Sequence, residues 1–260
     1  MGRAIRFRIR SGAKRTLREL DRLLDDAYGA PEADLDNKED PLDEAIYIVL
    51  SFQTDLDRLR MVWKGLRSAF PAWSQLAQAP LRDVVEVIRI GGLQTQKAQT
   101  IKRLLKAVKK EAGTYSLELL RDMEDDEAER FLCRLPGLSW KAARCVLLYS
   151  LHRAVFPVDG NTFRIFTRFG VLGPKSVYRR RALHDGLQRS VEPSRRKPFH
   201  INLVVHGQRT CLPRRPRCAS CVARGICGMG GVPNDIKAEA QDGARGESRV
   251  AAVSRTRARA

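Results

Sequence analysis

The stretch LPGLSWKAARCVLLYSL, residues 135–151, decides how the rest of the chain reads. Pro136 and Gly137 demand a tight turn, and Lys141 to Leu151 follows as a helical run. A turn that opens a helix presents free backbone N–H groups at the positive end of the helix dipole, an arrangement suited to a phosphate. By itself it is equally an ordinary turn between two helices. Upstream the pattern continues in helix-length segments at 43–52, 54–69, 72–77, 80–89, 95–112, 116–122 and 126–133. Breaks fall at Pro71, Pro80, Gly91-Gly92, Gly113 and Pro157. Sustained period-2 alternation appears nowhere, so the chain is predicted to be all-α.

Eighteen residues beyond Lys141 lies Asp159, within FPVDGNTFR (156–164). An aspartate ahead of the helical run Thr162 to Phe169 is first of all an N-cap. A capping carboxylate and a catalytic one are not exclusive. A lysine at a helix start is ordinarily solvated, so neither residue is decisive alone.

Near the C-terminal end Cys211, Cys218, Cys221 and Cys227 are spaced C-x6-C-x2-C-x5-C. Zinc sites also use C-x2-C but join two such pairs through a longer hairpin or helix, so four thiolates in one short irregular stretch favour an iron–sulfur cluster. Disulfides are disfavoured, because the sequence shows no secretory leader and a chain of this size needs no staples. Cys133 and Cys145 sit in apolar helical contexts and read as small core residues.

With 43% hydrophobic residues in 260, a globular fold is expected. Lys and Arg number 48 against 30 Asp and Glu, a formal charge of +18, which favours a polyanionic partner. A membrane surface is the competing polyanion, but no run approaches the length of a spanning helix. A soluble, reducing, cytoplasmic setting is expected. Arg3, Arg6, Arg8, Arg10, Lys14, Arg15 and Arg18 precede or open a helix that should end before Tyr28-Gly29, and they suit a solvated arm or a phosphate-binding strap. The polar segment ADLDNKEDPLDE (33–44) reads as a hinge between substructures. Beyond Cys227 the Arg/Ala-rich tail, 229–260, is expected to be disordered.

Taken in order, the helix-hairpin-helix LPGLSWKAA, the segment ending in VDGN, the HGQRTC stretch (206–211) and the four-cysteine loop resemble the endonuclease III family of DNA base-excision glycosylases, over residues 40–228. The resemblance implies two helical lobes. One, 35–153, carries the hairpin; the other, 1–34 with 154–228, carries the cluster loop. It further implies that Lys141 and Asp159 are catalytic, that all four of Cys211, Cys218, Cys221 and Cys227 ligate a [4Fe-4S] cluster, and that Gln53 and Leu93 fill the gap left by an extruded nucleotide. Gly137 and Ser139 would meet phosphate, as would Arg214, Arg215 and Arg217 in the loop fixed by the cluster. Without the resemblance Gln53 is a polar helix residue and Leu93 a loop anchor to the core.

The implied activity is removal of damaged bases, oxidised pyrimidines above all, from duplex DNA, followed by β-elimination through a lysine Schiff base. The implied partner is duplex DNA with damaged bases or abasic sites, bound by a monomer. Attack requires a neutral amine, so Lys141 is expected to have a lowered pKa. The chain departs from the family in Gly137-Leu138-Ser139 where G-x-G is usual, in Trp140 where a basic residue is usual, and in Asp159-Gly160-Asn161, which is similar to adenine glycosylases acting opposite oxidised guanine. Those enzymes lack the lysine and carry a large C-terminal domain. Two alternatives stay open: a glycosylase with weak lyase activity, and a noncatalytic iron–sulfur DNA-binding protein.

Overall fold

The computed structural model describes residues 9, 12–31 and 35–229. Arg3, Arg6, Arg8 and Arg10 of the basic arm, and the tail from residue 230 on, lie outside the described residues, as do the expectations attached to them. Eleven α-helices and no strand occur among the described residues. They are α1 (Ala13–Tyr28), α2 (Pro41–Ser51), α3 (Leu56–Ala69), α4 (Trp73–Gln78), α5 (Leu81–Val87), α6 (Gln94–Ala112), α7 (Asp125–Arg134), α8 (Trp140–Tyr149), α9 (Gly160–Arg168), α10 (Arg181–Gln188) and α11 (Arg196–Arg209). None of them is long and apolar enough to cross a membrane.

Local chemistry sets most of the boundaries. Asp40 caps α2, its side chain accepting from the Leu42 and Asp43 amides, with Pro41 at the first helical position, where a missing N–H costs nothing. α1 runs to Tyr28 and ends on Gly29 in the left-handed region at φ 63, where glycine alone is free of strain. The segment 116–122, expected to be an α-helix, contains instead a 3-10 turn at Glu118–Asp122, too short to add an α-helical turn.

Buried side chains form two clusters. The larger unites α2 through α8, with Leu42, Ile46, Leu104 and Val146 among its fully buried members. The smaller joins α1, α9, α10 and α11, centred on Phe156, Phe166 and Phe199, whose rings lie 5.9–6.3 Å apart. α11 serves both, giving Ile201 and Val205 to the first cluster and Phe199 and Leu203 to the second. Phe199 through Gly207 are buried without a break, as befits a helix packed on all sides.

The end of the polar segment between α1 and α2 is held against α2. Glu44 is fully buried and accepts from Asn37 Nδ2 at 2.6 Å and from the Lys38 amide at 2.7 Å, while Tyr47 Oη donates to Asp36 at 2.9 Å. Buried acceptors and donors must be paired, and here the pairing holds residues 36–38 against α2.

A second polar network ties α7, α8 and α10. Arg144, 1% exposed, donates from Nε to Glu129 at 2.9 Å and from Nη2 to Asp185. Breaking a buried ion pair strands the remaining charge. Glu129→Ala should therefore cost about 3–5 kcal/mol in urea unfolding, whereas Arg130→Ala on the exposed side of the same helix should cost under about 1 kcal/mol. Equal losses would show that Arg144 is not held by Glu129.

Candidate active site

The turn at 135–139 is built around Gly137, at φ 87. A Cβ there would stand 2.3 Å from Thr100 Cγ2, so both conformation and space demand glycine. Ser139 instead caps α8 from an extended conformation, φ −103, with Oγ accepting from the Ala142 amide at 3.4 Å. The departure from G-x-G thus puts no strain on Ser139, because nothing at that position calls for a positive φ. Gly137 and Ser139 are both exposed.

Lys141 follows in the first turn of α8, half-buried in the wall of a cavity of about 880 Å³. Asp159 and Gln53 line the same cavity. Asp159 reaches it from the N-cap of α9, its Oδ1 accepting from the Thr162 amide at 2.7 Å and its Oδ2 from Asn161 Nδ2 at 2.8 Å. Asn161 is pressed onto Gly207, where a Cβ would come within 2.6 Å of it. Arg164 then donates to Asn161 Oδ1 at 2.8 Å, to the Gly207 carbonyl at 2.9 Å and to the Cys211 carbonyl at 3.0 Å. A continuous chain of contacts so connects the carboxylate to the start of the cysteine loop.

The electrostatics of the pair correct one expectation. Burial alone would lower the Lys141 pKa, but its hydrogen-bonded neighbour Cys145 and the carboxylates of Asp159 and Glu44 outweigh burial and raise it above the ordinary lysine value. The amine is therefore an ammonium in the free protein. Helix-terminus burial favours a lowered value, but Cys145 and the two carboxyl groups beside the amine count for more. Burial likewise pushes the Asp159 carboxyl up, while His200, the Thr162 amide and Lys141 bring it below the usual carboxylate range. Cys145, one helical turn after Lys141, has its thiol pushed up to about 12, first by burial. It is a core residue, 3% exposed, that also faces the site.

Further residues line the cavity. His200 is 2% exposed, its Nδ1 has no hydrogen-bond partner among the described residues, and burial pushes its pKa down to about 4. Trp140, which replaces the usual basic residue, has the Arg181 guanidinium 4.9 Å from its ring centre, and Arg181 is held in turn by Asp126 and Asp185. A braced aromatic ring thus lines the cavity beside Lys141. Trp140 and Asn161 both stand in motifs legible in the sequence, whereas His200 does not.

Of the remaining expected site residues, Gln53 lines the cavity and the others stand outside its lining. Gln53 sits past the end of α2 at φ 53, and so is not a helix residue. Leu93, at φ 49, is 45% exposed and does not anchor its loop to the core. Arg214, Arg215 and Arg217 are exposed, and none of them lines the cavity. All four cysteines of the loop are free, with Cys211 buried, Cys218 exposed and the other two between. Arg168 donates to Cys211 Sγ at 3.1 Å and to the Leu212 carbonyl at 2.8 Å. Burial first, then the neighbouring cysteines, push the Cys221 and Cys227 thiols up, so the sulfurs feel one another. Among the described residues, no group of three or more His, Cys, Asp or Glu is gathered closely enough to hold a metal ion.

Residues 46–188 match the family model described as HhH-GPD superfamily base excision DNA repair protein. The chain is 28% identical over 170 residues to the DNA glycosylase/AP lyase ROS1 of Arabidopsis thaliana, covering 60% of this chain and 12% of that protein. To Endonuclease III of Sulfolobus acidocaldarius it is 28% identical over 153 residues, covering 59% of this chain and 65% of the relative. The match thus spans less than two thirds of either relative's length. A solved non-covalent complex of endonuclease III with DNA superposes with a TM-score of 0.72 at 22% identity, over 84% of this chain and 96% of that one.

Glu44 supplies a pH test of the site's electrostatics. Burial raises its pKa from 4.5 to about 7. A carboxyl raised in the folded state contributes fully below its unfolded pKa, and that contribution is lost as pH rises through the folded value. Glu44→Gln removes the penalty, so the stability of the variant relative to the parent should rise between about pH 4.5 and about pH 7 in urea unfolding. A pH-independent difference would mean that Glu44 is solvated.

Proposed function

The chain belongs to the HhH-GPD superfamily of base excision DNA repair proteins, and on that premise we propose that it is an endonuclease III-like DNA glycosylase that removes damaged bases, oxidised pyrimidines above all, and then cleaves the abasic site. The observation that carries this reading is a lysine amine and a carboxylate, brought from two different core clusters to the wall of one cavity. A net charge of +18 supports the duplex as partner.

Chemistry at C1′ requires the nucleotide to leave the stack, because the glycosidic carbon is shielded inside a duplex. Gln53 and Leu93 would occupy the vacated space, and the amides of the 137–139 turn would take a phosphate. Lys141 then attacks C1′ through its nitrogen lone pair, the C1′–N bond breaks, and the base departs with that electron pair and acquires a proton. Opening of the sugar gives the Schiff base. Loss of a C2′ proton and rupture of the C3′–O bond complete β-elimination, with the 3′ phosphate as leaving group. Since Lys141 rests as an ammonium, it must first lose a proton, which the Asp159 carboxylate in the same cavity is suited to accept and pass to the departing base. Burial is already the largest single influence on its pKa, and DNA closing the cavity to water strengthens that influence against the charge. Asp159, held as a carboxylate, is suited to stabilise positive charge growing on the sugar. The raised pKa of Lys141 favours one second reading, a glycosylase with weak lyase activity.

The four free cysteines suit a [4Fe-4S] cluster in donor chemistry, and Arg168 beside Cys211 Sγ suits a thiolate. Bound there, the cluster would supply metal–thiolate bonds that fix the loop bearing Arg214, Arg215 and Arg217 for phosphate contact. Protein purified aerobically should be yellow-brown with about four irons per chain, and Cys218→Ser should bleach it and lower its melting temperature. Stoichiometric zinc without iron or sulfide would refute the cluster.

Lys141→Gln should abolish strand cleavage at abasic sites while changing duplex affinity by less than about threefold, because affinity is spread over many phosphate contacts. Asp159→Asn should slow base removal as well. Cleavage retained in Lys141→Gln would place the nucleophile on another amine.

A further inference from the structure

Two loops far apart in sequence meet at the rim of the cavity. Residues 52–54 follow α2 and residues 91–93 precede α6. Each contains a non-glycine residue in the left-handed region, Gln53 at φ 53 and Leu93 at φ 49. Such conformations cost on the order of 1 kcal/mol or more and persist only where surrounding contacts impose them.

The contacts here converge on Lys97. Its side chain is 3% exposed, and Nζ donates to the Gly91 carbonyl at 2.8 Å and to Thr54 Oγ1 at 2.5 Å. Thr54 Oγ1 in turn donates to the same Gly91 carbonyl at 2.7 Å. Gly91 backs onto Val62, where a Cβ would stand 3.0 Å from Val62 Cγ2, so the loop cannot carry a larger residue there without a shift. The Lys97 amide also closes the first turn of α6 on the Leu93 carbonyl at 2.9 Å. One buried ammonium thus staples both loops through two neutral oxygens. Burying a charge against neutral acceptors is costly, which is warranted if the relative position of the loops matters.

On the outer side of the staple stand large apolar side chains: Phe52 is 42% exposed, Leu93 45% and Ile90 50%. Phe52 and Gln53 also line the cavity that holds Lys141. Wedges of this kind enter a duplex at an unstacked step, and an aromatic ring adds stacking on a neighbouring base.

We propose that Lys97 is a positioning residue that makes residues 52–54 and 91–93 a single preassembled wedge, and that Phe52 is a third side chain of that wedge, stacking inside duplex DNA beside Gln53 and Leu93. The inference rests on the DNA reading given above.

The test uses a short duplex with a tetrahydrofuran abasic analogue opposite 2-aminopurine, whose fluorescence rises when the base is unstacked. Binding is followed separately by anisotropy. The full chain should raise the fluorescence on saturation. Lys97→Met, Thr54→Val and Phe52→Ala should each cut that rise by roughly fivefold or more, with a smaller change in affinity, and Phe52→Tyr, which keeps the ring, should restore it. Full fluorescence in Phe52→Ala and in both staple variants, with DNA bound, would overturn the wedge while leaving the glycosylase reading intact. A parent protein that binds without any fluorescence rise, or does not bind, would overturn both. If Lys97→Met does not fold, Thr54→Val and Phe52→Ala carry the test.

Discussion

The attraction between a half-buried ammonium and a carboxylate that belong to different parts of the fold is the constraint on which the site depends. Lys141 rides on α8 in the larger core cluster, and Asp159 stands at the head of α9 in the smaller one. Neither group suits burial alone, and each moves the other's pKa toward the charged form. α11, packed into both clusters, keeps the two faces in register. The Arg144 network does the same for α7, α8 and α10.

Asp159 is also the point from which order spreads toward the cysteines. Its cap fixes the start of α9, Asn161 fixes the carboxylate against Gly207, and Arg164 and Arg168 on the next turns grip the backbone at Cys211 and Leu212. The two 3-10 turns of that loop bury no residue of their own, and the loop meets the smaller cluster through Cys211 and Ala223. In the proposed mechanism, metal–thiolate bonds would supply at the far end of that loop what the two arginines of α9 supply at its start.

Much of the architecture was legible in the residues because helix signals are local. Gly29 and Asp159 mark ends by their own backbone chemistry, and the absence of alternation excluded a sheet. The glycine of the hairpin was readable as a turn, although the reason it must be glycine, the methyl group of Thr100, lies on another helix. The site was half legible. Lys141 and Asp159 stand in motifs, but the sign of the Lys141 shift depends on Glu44, nearly a hundred positions earlier, and on Cys145, which read only as core. His200, Arg181 and Lys97 are placed by packing between helices, for which one sequence holds no signal. The burial of Glu44 was illegible for the same reason: in the acidic segment 33–44 its charge looks solvated until it is found inside, accepting from its own chain.

The central claim is that the amine of Lys141 is the nucleophile at C1′. Borohydride reduction in the presence of an abasic-site duplex, followed by proteolysis and mass spectrometry, tests it most directly, because only a Schiff base is converted to a stable bond. The account predicts a sugar remnant on the peptide that contains Lys141, and none in the Lys141→Gln protein. A remnant on another lysine or on the N-terminal amine, or no adduct from a protein that still removes bases, would contradict it.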